Sequence, residues 1–112
     1  MFVEPYQYLH AFIGGVVTEG GLAWSAHQIL ELVQVVRDKK WIILGGDVLK
    51  TDKTYTFDNW YYTPDVYKSL DSNVEDSIKS CVKYLDNYIK NYGKEFLFVV
   101  VITNAYISSK TD

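Results

Sequence analysis

Two short stretches hold the side chains with the most chemistry to offer. Gly45-Gly46-Asp47 is followed, after a short gap, by Tyr55-Thr56-Phe57-Asp58-Asn59-Trp60-Tyr61. Asp47, Asp58 and Asn59 supply carboxylate and amide oxygens, the ligand type of a hard divalent cation. The same side chains also hydrogen-bond the backbone of turns and bulges. Neither a third carboxylate nor a histidine is anchored beside them in sequence, so the backbone role is favoured and the cation site is the alternative. Trp60, Tyr61 and Tyr62 are consecutive, and along a strand neighbours point to opposite faces. At least one of these rings should therefore leave the core. Buried, the rings are packing; exposed, they have the composition of an interface anchor.

The remaining reactive side chains are isolated. His10 and His27 lie far apart, and neither has a partner at ligand or triad spacing, so a surface or satisfied histidine is expected at each. Cys81 is the sole cysteine, so no disulfide forms within the chain. It falls on the apolar side of an expected helix and reads as a small buried hydrophobe. There is no glycine loop for phosphate, no zinc spacing, no serine elbow and no paired catalytic acids with a base. This pattern argues against an enzyme, and no cofactor is implied.

The elements that must position these residues follow from periodicity. Ser25 and Gln28 form a capping box, and Trp24 and Ile29 have the spacing of a hydrophobic staple. A helix then runs from Ser25 with Ile29, Leu32, Val33 and Val36 on one face, and Arg37, Lys39 and Lys40 close it. Trp41 to Leu44 reads as a buried strand. Gly45-Gly46 marks a bulge or a close backbone approach. Thr51-Asp52-Lys53 has turn composition, and Thr54 to Phe57 returns as a second strand. The resulting hairpin places Asp47 and Asp58-Asn59 near its base.

Thr63-Pro64-Asp65 is a break. A second helix is expected from a Ser72–Glu75 capping box, with Val74, Ile78, Cys81, Val82, Leu85, Ile89 and Tyr92 on one face and Gly93 at its end. Phe96 to Ile102 should be a strand covered on both faces, with a fraying polar tail from Thr103. Residues 1–17 are expected to be irregular, with one short element. The order predicts a small single-domain α+β fold over residues 1–112. It has two layers: an antiparallel β-sheet with two main helices packed on one face.

Bulk properties narrow the function. A chain of 112 residues suffices for one core. A net charge of −3 provides no basic stripe for a nucleic-acid backbone. The beginning of the chain lacks the basic head and apolar run of a secretory signal. The longest apolar run, Phe96 to Ile102, is far short of the ~20 residues that span a bilayer. A cytoplasmic location, with no nucleic-acid or membrane partner, is the expectation.

The central stretch resembles a family of bacterial immunity proteins, the immunity protein 40 type of polymorphic-toxin systems. The likeness is carried by Ile43-Leu44-Gly45-Gly46-Asp47-Val48, by Tyr55 with Phe57-Asp58-Asn59-Trp60-Tyr61, and by a helix ending near Tyr88-Ile89. Leu22-Ala23-Trp24-Ser25 and the helix after it also fit, so the likeness covers roughly Leu22 to Ile102. It implies a protein that binds and blocks a cognate toxin domain by occlusion, without turnover or cofactor. On that basis Asp47, Asp58, Asn59, Trp60 and Tyr61 are the candidate partner-binding residues, with the two aromatics as anchors and the aspartates as polar contacts. The alternatives are a small metal-binding or hydrolytic domain using Asp47, Asp58 and Asn59, and a structural module that self-associates through exposed aromatics.

Overall fold

The computed structural model describes residues 4–104. Among these, three helices and five strands follow in the order α1 (Tyr6–Phe12), β1 (Val16–Thr18), β2 (Gly21–Ser25), α2 (Ala26–Lys39), β3 (Ile42–Lys50), β4 (Tyr55–Tyr61), α3 (Leu70–Tyr92) and β5 (Phe96–Thr103). The strands form one antiparallel sheet in the order β1-β2-β5-β3-β4. The fold is α+β, as expected. The expected fraying tail falls largely on residues 105–112, outside the described residues.

The core lies between the sheet and the helices. Ile29, Leu32, Val33 and Val36 of α2, and Val74, Ile78, Cys81 and Leu85 of α3, join Trp24, Val48, Phe98 and Val100 of the strands in one buried cluster. Burying each large aliphatic side chain contributes roughly 1.5–3 kcal/mol. The Ser25–Gln28 capping box is present, with the Ser25 hydroxyl accepting from the Gln28 amide and the Gln28 side chain accepting in return. Trp24 and Ile29, the expected staple pair, are both fully buried.

Three sequence expectations are corrected here. The start of α3 is capped by Ser69, whose hydroxyl accepts from the Ser72 amide at 3.1 Å. The Ser72–Glu75 box does not form, because Ser72 already lies inside the helix and Glu75 takes the Arg37 guanidinium of α2 in two bonds of 2.8 and 3.2 Å. Tyr92 is exposed, and its place on the buried side of α3 goes to Tyr88. The segment before α2 is more regular than expected: α1 and a β1–β2 hairpin occupy it, and β2 pairs with β5.

The strand β3 is the spine. It pairs with β5 on one side and β4 on the other. Its register against β5 slips between Ile43 and Gly45, a bulge centred on Leu44. The Ile43 amide beside it donates to the buried Ser77 hydroxyl of α3 at 3.1 Å, so the irregularity leaves no orphaned donor there.

Candidate interaction surface

Gly45 and Gly46 are required for β4 to lie where it does. Gly45 has φ +145°, and a Cβ there would collide with the Trp60 carbonyl. A Cβ on Gly46 would collide with the Val99 carbonyl and meet the Trp60 ring. The close backbone approach read from the sequence is thus real, and its beneficiary is the Trp60 indole.

The strands β3 and β4 form the expected hairpin, with Gly45 opposite Tyr61, Gly46 opposite Trp60 and Asp47 opposite Asn59. Lys53, at φ +72°, closes the turn, and the Asp52 carboxylate accepts from both the amide and the hydroxyl of Thr54. Those bonds hold the Asp52 carboxyl below its usual range. The strand β4 is longer than the sequence suggested, and it is bulged. From Asp47/Asn59 to Leu49/Tyr55, β3 advances two residues while β4 advances four. Phe57 sits in the bulge at φ +69°, an uncommon conformation for a bulky residue. The Thr56 hydroxyl fills the gap by donating to the Val48 carbonyl at 2.9 Å and accepting from the Asp58 amide at 3.1 Å.

Alternation then divides the five candidate residues between two faces. Asp58 and Trp60 face α3. The Trp60 ring stacks on Tyr84 at 4.8 Å and 21° between planes. The Asp58 carboxylate accepts from the Tyr88 hydroxyl at 2.8 Å. Asp47, Asn59 and Tyr61 lie on the opposite, open face. Tyr61 is 80% exposed, and Asp47, Asn59, Tyr61 and Val101 line a shallow hollow above the two glycines. Among the described residues, no three His, Cys, Asp or Glu side chains form a group able to hold a metal ion. The face assignment gives the reason: Asp47 and Asp58 point to opposite sides of the hairpin.

Sequence reasoning missed the aromatic ladder of α3. Tyr84, Tyr88 and Tyr92 recur four apart, a spacing that alone places them on one stripe. Their ring centroids follow at 5.9 and 4.7 Å, and Phe96 and Phe98 of β5 meet Tyr88 edge-on. Burial, followed by the charge of Asp58, pushes the Tyr84 hydroxyl up to about 12. Burial likewise raises Tyr88, and its bond to Asp58 adds to the effect. Asn73 was also missed. It is fully buried and accepts from the Tyr62 hydroxyl and the Asp65 amide while donating to the Asp65 and Ser69 carbonyls. That network fixes the segment leaving β4 onto α3.

Exposed aromatic residues concentrate on and after β4. Phe57 is 89% exposed, Tyr61 80% and Tyr67 82%, and Tyr55 and Val66 are also exposed. Cys81 is buried, and burial pushes its thiol up to about 12, which leaves it unreactive at neutral pH. No described helix is long and apolar enough to cross a membrane.

Comparison with known proteins gives one family. A sequence model described as Immunity protein 40 matches residues 13–102, most of the chain and every strand of the sheet save the last residue of β5. No curated protein and no solved structure matches the chain.

Proposed function

The chain belongs to the Immunity protein 40 family, and we propose on that premise that it binds and neutralises a cognate bacterial toxin through protein–protein contact. The family implies a protein partner; the identity of that partner as a toxin domain made beside this chain is part of the proposal. The contact surface is β4 with the segment that follows it. The observation that carries this choice is the run of solvent-facing aromatics Phe57, Tyr61 and Tyr67 on and just beyond an edge strand. Large exposed aromatics are what interface hot spots are built from, and an aromatic in a left-handed bulge is the kind of local strain that collects at binding sites.

Within this reading Tyr61 and Phe57 are the anchors, and Asp47, Asp58 and Asn59 are the polar contacts. Trp60 acts from behind, holding the strand against Tyr84. The mechanism is occlusion: the bound chain covers the toxin surface, and neither turnover nor a cofactor is needed.

The test is co-expression with the toxin domain encoded beside this chain. Cells carrying both should grow, and the pair should co-purify. Cells that die as fast with the chain as without it would sink the proposal. A chain in which Phe57, Tyr61 and Tyr67 are all replaced by Ala should remain folded and lose protection. Full protection by that variant would move the contact surface elsewhere.

A further inference from the structure

The outer edge of β4 has a hydrogen-bonding pattern of its own. The Tyr62 amide donates to the Leu44 carbonyl across the β3–β4 ladder at 2.9 Å. Backbone groups alternate sides along an antiparallel strand, so those of Trp60 also face β3. Those of Asn59 and Tyr61 therefore point away from the sheet. Among the described residues the ladder uses none of these four outward groups, since β4 pairs there with β3 alone.

Exposed edges are usually blunted by brevity, lysine, proline or a bulge. The strand β4 is seven residues long and contains neither lysine nor proline. Its bulge lies at Phe57, which leaves residues 59–61 in regular register with β3. The opposite edge of the sheet is the three-residue β1, which is protected by its shortness.

Charge adds a preference. Asp47 and Asp58 flank this edge on its two faces. The ion pairs of the described residues lie elsewhere, at Arg37–Glu75, Lys40–Asp71 and Lys68–Asp76, so among those residues neither carboxylate has a cationic partner.

We propose that the Asn59–Tyr61 edge accepts an extended strand of the toxin partner, which continues the sheet and directs Lys or Arg side chains toward Asp47 and Asp58. This names the binding mode of the surface above and rests on the toxin-binding reading. A strand added to an edge gains affinity from main-chain bonds and specificity from alternate side chains. A second copy of this chain would bring the same two acids, on a molecule of net charge −3, against their like.

The experiment compares amide hydrogen exchange of the unmodified chain, alone and bound to an inactivated form of the toxin domain encoded beside it. The Asn59 and Tyr61 amides should exchange about tenfold or more slowly in the complex. Asn59→Pro removes an outward N–H that the sheet of the described residues does not use. It should weaken capture about tenfold with the melting temperature preserved. A complex that forms, is lost with Tyr61→Ala and leaves both amides exchanging at their free rates overturns strand addition while the toxin-binding reading stands. No complex with the unmodified chain overturns both. If the chain sediments as a dimer and Asn59→Pro as a monomer, the edge belongs to a second copy and the proposal fails. The exchange measurement needs no variant, so it decides the question even if Asn59→Pro does not fold.

Discussion

The two faces of β4 carry similar residues put to different uses. Toward α3, Trp60 stacks on Tyr84 and Asp58 takes the Tyr88 hydroxyl. Toward the open side, Tyr61 stands 80% exposed, with Asn59 and Asp47 beside it. Each face thus has a large aromatic and an aspartate one pleat apart. The helix that covers one face gives Trp60 a ring to stack on and Asp58 a hydroxyl donor, while Asp58 itself stays exposed at the strand's edge. The uncovered face keeps its residues available to a partner. Residue type set what each side chain could do, and the neighbouring element set what it does.

The comparison breaks most visibly at Trp60. Trp60→Ala removes the ring wedged between Gly46 and Tyr84 and should cost about 3 kcal/mol, the low end for a large aromatic because the residue is only half-buried. Chemical denaturation measures it, and a loss under about 1 kcal/mol would mean that the helix side is not holding the strand.

A smaller effect appears at alkaline pH. The Tyr84 hydroxyl is pushed up to about 12, whereas an unfolded tyrosine titrates near 10. The folded chain thus holds this proton more tightly. The associated stability is full below about pH 10 and is lost as pH rises toward 12. Melting temperatures taken between about pH 9 and 11.5 should fall, and fall less steeply in Tyr84→Phe. Equal slopes in the two chains would remove the helix-side charge and burial argument.

The smallest effect sharpens the contrast. Tyr61→Ala should leave stability within about 0.5 kcal/mol, although it removes as large a ring as many core substitutions do. A marked drop in the denaturation midpoint would show Tyr61 to be structural, and the open face would lose its claim as an interface.

Much of the frame was legible from local signals. The α2 cap, the Gly45-Gly46 approach, the hairpin turn at Thr51-Asp52-Lys53 and the final strand rest on neighbours within a few residues, and each is present. The start of α3 misled because a plausible Ser-x-x-Glu box competes with Ser69, and Arg37, 38 positions away from Glu75, decides the outcome. The Tyr84-Tyr88-Tyr92 stripe was available at helical spacing. Asn73 gave no signal, because its partners are the loop 62–69 folded back upon it.

By itself the sequence determined the α+β class, the place of the hairpin and its two glycines, and the family likeness, because caps, turns and periodicity act over short stretches of chain. Which face of β4 is covered was decided only by tertiary structure. An extended strand presents alternate residues to both sides equally, and the choice between them belongs to whatever packs there, here a helix beginning at Leu70.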